Sequence, residues 1–224
     1  MGPHRIFCHG IPFVVLNMVS VLMFKGLGIG DAQIALWTSL IKMPWTLKFL
    51  WSPFLEMFKT KKFFVVLTQM VTGAGFALVA LALQLPFFFA ICIALLAVIA
   101  FSGATHDVAT DGVYMSELNK QDQAKYIGWQ GAFYNIAKIV ASGGLVWLAG
   151  ALLVGFGGVE GATEAVRHEA TRHAWMTVML ILAAVMLLLG FYHNRSTRAR
   201  WHYLSATRFP AGTWQAGYTL QKAD

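Results

Sequence analysis

The chain has 224 residues, of which 58% are hydrophobic and only 12% charged, and its mean hydropathy is +0.61. Soluble domains run near 45–50% apolar and about 25% charged, so this composition excludes an ordinary soluble domain and predicts an all-α protein of several membrane-crossing helices. The net charge of +7 would suggest a nucleic-acid partner in a soluble chain. In a membrane protein basic residues gather on the cytoplasmic side for topological reasons, and no basic motif of a nucleic-acid reader is present.

Hydropathy resolves six spans. The first runs from about Ile6 to Phe24 and carries Asn17, and the glycine-rich turn from Lys25 to Asp31 ends it. MGPHRIFCHG, with no small-residue cleavage site after it, reads as the start of a retained helix rather than a signal peptide. The second span, about Gln33 to Phe58, contains Lys42, Pro44, Lys48 and Pro53 and is expected to be kinked or locally broken. A hairpin, Lys59 to Lys62, leads into the third, about Phe63 to Leu83. Pro86 opens the fourth. Cys8 and Cys92 fall in separate apolar segments and make no disulfide framework.

At the end of the fourth span the stretch from Ile99 to Lys125 brings charge to the end of a long apolar run, at His106, Asp107 and Asp111. Asp107 and Asp111 are four apart and share a helix face. Ionisable groups at such depth are expensive and usually face a bundle interior, which makes these three residues candidates for function. The fifth span, about Tyr126 to Phe156, holds Lys138 and the small residues Ser142, Gly143 and Gly144, which allow close helix approach. A polar loop, Gly157 to Arg172, precedes the sixth span, about Ala174 to Tyr192. The bundle is thus residues 1–192 and the basic, aromatic tail residues 193–224, which lacks clear helical or strand periodicity past its arginines.

With the N-terminus inside, the inner segments hold Arg5, Lys59, Lys61, Lys62, Lys120, Lys125, Arg195, Arg198, Arg200, Arg208 and Lys222, and the outer loops only Lys25, Arg167 and Arg172. Both termini are therefore expected in the cytoplasm. Lys42, Lys48 and Lys138 lie within spans and need partners or water. Spans three and six carry no charge, which suggests that they face lipid while the others line a polar interior.

Six spans in two sets of three, with a short basic hairpin after the second, resemble the N-terminal half of a major facilitator superfamily transporter. Pro53 to Lys62 resembles that superfamily's loop motif, with Glu56 in the acid's place and Lys61 and Lys62 in the basic pair's. KFLWSP, Lys48 to Pro53, is similar to the second-helix signature of AmpG-like anhydromuropeptide permeases and their acetyl-CoA transporter relatives. ATHDVATD, Ala104 to Asp111, and SGGLVWLA, Ser142 to Ala149, are similar to the same family's fourth-helix end and fifth helix. The likeness covers about Ile6 to Tyr192. The family pattern has glutamine at His106, aspartate at Glu56, and an arginine near Asn135 or Ile136, in place of which this chain offers Lys138.

The resemblance implies a six-helix half of a secondary transporter in the inner (plasma) membrane. It implies proton-coupled import of peptidoglycan fragments or a related anionic or sugar-containing solute, a second six-helix half or another chain as partner, and no cofactor. The substrate and proton pathway would comprise Asn17, Lys42, His106, Asp107, Asp111 and Lys138. The cytoplasmic gate would comprise Lys48, Pro53, Glu56, Lys61 and Lys62. Plainer roles stand beside these: Asp107 and Asp111 as a gate network pairing with Lys48, His106 as a hydrogen-bonded histidine, Asn17 as helix glue.

Enzyme chemistry finds little footing. His168 and His173 flank a zinc-like HEATRH but are five apart and would not share a helix face, so no metal site is expected there. No nucleophile with a matching base and no phosphate-binding glycine loop occurs. The tail leaves three readings: a truncated or altered reading frame, a half-transporter that pairs with another chain, or an interfacial anchor.

Overall fold

The computed structural model describes residues 13–57, 61–117 and 138–208, with residues 128, 131, 132, 135 and 136 between; side chains at 56, 61–62, 113–117, 141 and 196–208 are outside the description. The described residues are helical throughout, joined by turns, with no strand. The helices are α1 (Val15–Gly26), α2 (Asp31–Ile41), α3 (Met43–Leu47), α4 (Ser52–Met57), α5 (Lys61–Ala82), α6 (Phe88–Glu117), α7 (Leu145–Gly155) and α8 (Glu164–Arg208). Within them three stretches, Phe63–Ala82, Phe88–Gly112 and Glu164–Arg195, are long and apolar enough to cross a membrane. Val15–Gly26 and Ser142–Gly155 are apolar but shorter.

The helix ends follow local chemistry. Gly28, at φ 81°, and Gly157, at φ 89°, adopt the left-handed conformation just past α1 and α7. There Ile29 N–H donates to the Phe24 carbonyl, and Gly158 N–H to that of Leu153, satisfying carbonyls the helix leaves open. Along residues 31–57 the chain breaks between Ile41 and Met43 and passes through a 3-10 turn, Lys48–Leu50, before α4. Pro44 stands at the start of α3, where its missing N–H costs nothing. The expected break in the second span is present, and none of its pieces is long enough to cross a bilayer.

The core lies where α5 meets α6 on one side and α8 on the other. Antiparallel contact along α6 pairs Thr68 with His106, Thr72 with Ser102 and Gly75 with Ile99. Along α8 it pairs Gln69 with His193 and Gly73 with Leu187. Phe24, Phe76, Leu83, Leu96, Ile99, Met179 and Met186 fill the interior. A Cβ at Gly73 would sit 2.8 Å from Leu187 Cγ, and one at Gly75 2.6 Å from Ile99 Cγ1. These two glycines let three helices approach along α5.

Several expectations are corrected. Spans three and six do not face lipid alone: α5 is the central strut and α8 packs along it, because uncharged helices still carry small and hydroxylated residues that fit a neighbour. The small-residue stretch around Ser142 to Gly144 does meet another helix, the Val15–Val19 turn of α1, although a Cβ at Gly143 would meet nothing within 4 Å. The segment from Glu164 to Arg172 is not loop but the first turns of α8, which also runs past Tyr192 through Arg208. Hydropathy marks where a helix leaves an apolar medium, whereas backbone hydrogen bonding continues through good helix formers such as arginine and alanine.

Candidate functional site

The charged site is built where the broken second segment meets the far half of α6. Asp107 is half-buried, its side chain 14% exposed. Trp45 Nε1 donates to Asp107 Oδ2 at 3.1 Å, and Lys48 Nζ stands 3.7 Å from the same oxygen. Trp45 is fixed by an edge contact with Phe13, and Trp51 stacks on Phe101 with centroids 4.7 Å apart. Trp51 thus meets α6 six residues before the partner of Trp45, on the far side of the 3-10 turn. That bend carries Lys48 and brings its ammonium to Asp107. The carboxylate thus has one hydrogen-bond donor, the Trp45 indole, and one ion-pair partner, Lys48, whose side chain is 38% exposed.

One residue earlier on α6, His106 is buried and its Nδ1 lies 3.0 Å from Thr68 Oγ1. Thr68 Oγ1 is also 2.7 Å from the Phe64 carbonyl, which takes the only hydroxyl proton. The hydrogen-bond network therefore assigns a proton to Nδ1, which donates to Thr68. Below it Ser102 Oγ donates to the Thr68 carbonyl at 2.9 Å and accepts from Thr72 Oγ1 at 3.2 Å. On the next face of α5 Gln69 Oε1 accepts from Nδ1 of the buried His193 at 3.0 Å. Two buried histidines from α6 and α8 thus flank adjacent residues of α5.

The remaining predicted residues fall elsewhere. Asp111 is half-buried one turn beyond Asp107. Lys42 is half-buried at the break before α3, Lys138 is exposed, and neither makes an ion pair among the described residues. Asn17 is half-buried, and its Nδ2 donates to the Phe13 carbonyl at 2.7 Å within its own helix. It sits in a π-helical turn, Val15–Val19, that packs against a second π-helical turn, Val140–Gly144. Pro53 is exposed in α4; Glu56 belongs to α4 and Lys61 and Lys62 open α5, with their side chains outside the described residues, as is the hairpin at 58–60.

Trp45, Thr68, Gln69, Ser102 and His193 belong to the polar network without having been singled out in the sequence. A search for hydroxyls and amides within the uncharged spans, rather than for charge, would have found Thr68, Gln69 and Thr72. Among the described residues no group of three or more metal-ligating side chains forms. Comparison of the chain with protein-family models, curated proteins and solved structures returns no match in any of the three.

Proposed function

We propose that this chain is a helical half of a proton-coupled secondary transporter for an anionic solute, with peptidoglycan fragments as the class that its sequence motifs suggest. The observation that carries the reading is the Asp107 carboxylate held between Lys48 and Trp45 on a broken helical segment. Discontinuous helices beside charged residues are a recurring form of transporter binding site.

The pair supplies a coupling mechanism. While Asp107 is ionised it neutralises Lys48, and an incoming anion must compete with it. Protonation of Asp107 releases the ammonium, which then takes the anion, so proton and solute favour each other's binding. Release of the pair also frees the bend between α3 and α4 to move, which is the local step alternating access needs. His106, one residue away, is hydrogen-bonded through Nδ1 to Thr68 and braces α6 at this level. A second six-helix unit, supplied by another chain or a further segment, would close the pathway, and the assembly would sit multi-pass in the inner membrane with cytoplasmic termini.

The test is uptake of labelled anhydromuropeptide into proteoliposomes under an acid-outside gradient, with a pH-sensitive dye reporting proton entry. Wild-type accumulation should follow the gradient. Asp107→Asn mimics the protonated carboxyl, so it should keep solute exchange without a gradient and lose accumulation. Wild-type protein that inserts but moves neither solute nor protons would favour a membrane scaffold, in which Lys48 and Asp107 are only a strut.

A further inference from the structure

The helix ends nearest the Gln69–His193 contact gather cations from two separate parts of the chain. Lys61 and Lys62 open α5, eight and seven residues before Gln69. Arg195, Arg198 and Arg200 follow His193 by two, five and seven residues on α8. Because α5 and α8 run antiparallel and Gln69 meets His193, these five positions share one end of the pair. At 1.5 Å per residue they fall about 3 to 12 Å beyond the contact.

That layer matches the edge of a bilayer. The apolar run of α8 gives way after Tyr192 to the basic stretch HNRSTRAR, and the headgroup zone outside the hydrocarbon core is about 5–8 Å thick on each side. Phe191 and Tyr192, one to two residues before His193, are exposed, with the Arg195 guanidinium 6.0 Å from the Phe191 ring centroid. Trp201 and Tyr203 continue the aromatic series along the helix. Aromatic residues of this kind favour the membrane–water interface. Neither α5 nor the part of α8 beyond His193 contains an acidic residue. Among the described residues the acids at this end, Glu56, Asp111 and Glu117, belong to α4 and α6.

We infer that this end of the α5–α8 pair is a binding collar for anionic phospholipid headgroups of the adjoining leaflet. Topological bias accounts for cations on one side of a membrane. It does not require that they gather on two contacting helices within about 9 Å of axial rise. The bilayer's own phosphates lie at that depth, whereas a soluble polyanion would have to approach through them. Lysine and arginine at the surface of an anionic leaflet each add to lipid attraction.

The test compares spin-labelled phosphatidylglycerol with spin-labelled phosphatidylcholine around the full chain in liposomes, read as the fraction of motionally restricted lipid. Wild type should prefer phosphatidylglycerol by roughly threefold or more. The combined variant Lys61→Gln, Lys62→Gln, Arg198→Gln, Arg200→Gln should fall to near parity. Arg167→Gln with Arg172→Gln, at the opposite end of α8, should keep the preference. If the combined variant fails to insert, wild type in about 0.5 M salt serves instead, where screening shortens to about 4 Å and the preference should collapse. Parity in wild type at low salt, or a preference that survives both the variant and salt, would overturn the collar. Competition by inorganic phosphate at constant ionic strength would reassign the cations to a free anion and likewise overturn it.

Discussion

Lys48 and Asp107, 59 positions apart in the chain, meet at 3.7 Å because the helix that carries Lys48 breaks and bends beside α6. Trp45, three residues before Lys48, gives the same carboxylate oxygen a hydrogen bond. Removing one partner should therefore cost more than removing both. Asp107→Leu leaves the Trp45 indole N–H and the partly exposed Lys48 ammonium to find new partners, and should destabilise by about 1 kcal/mol. Lys48→Leu combined with Asp107→Leu should recover part of that loss. Thermal unfolding in detergent of the single and double variants measures the coupling, and strictly additive effects would show that the two residues do not interact.

The Thr68–His106 contact gives a parallel expectation inside the bundle. Thr68→Val keeps the side-chain volume but removes the acceptor of the His106 Nδ1–H, with an expected cost of about 1–3 kcal/mol. His106→Gln offers an amide donor to the same oxygen and should be milder. It should also keep gradient-driven uptake and at most shift its pH dependence. If Thr68→Val is silent in thermal unfolding, the hydrogen bond holds nothing together.

Glycine substitutions should separate the two halves of the structure. Gly73→Ala must displace Leu187, whose Cγ lies 2.8 Å and backbone N 3.2 Å from the new methyl, so a loss of about 1–3 kcal/mol is expected. Gly150→Ala, in α7, meets nothing within 4 Å and should be neutral or stabilise by about 0.5–1 kcal/mol through helix propensity. Unfolding midpoints in the opposite order would refute the packing along α5.

The asymmetry of lysine and arginine gives a topological expectation. In a cysteine-free background, Glu164→Cys at the start of α8 should react with an impermeant maleimide on intact cells, and Lys61→Cys at the start of α5 only after permeabilisation. Labelling of Lys61→Cys from outside would invert the orientation.

Much of the helix content was legible residue by residue. Apolar length located the three long stretches, proline and lysine marked the break near Lys42, and Gly28 and Gly157 marked helix ends, because each of these is a local property of the backbone or of a single side chain in an apolar medium. The ends of α8 escaped because hydropathy records solvent preference and not hydrogen bonding. Partnership could not be read this way. Trp45 reaches Asp107 across 62 positions and His193 reaches Gln69 across 124, and no periodicity encodes such pairs. Charge counting drew attention to Lys138, which the fold leaves exposed, and away from Thr68 and Gln69, which it buries at the centre. Sequence by itself determined which stretches are helical and apolar. Only the tertiary structure decided which face of each helix is covered, since that depends on how side chains far apart in the chain fit and hydrogen-bond when α6 and α8 close on α5.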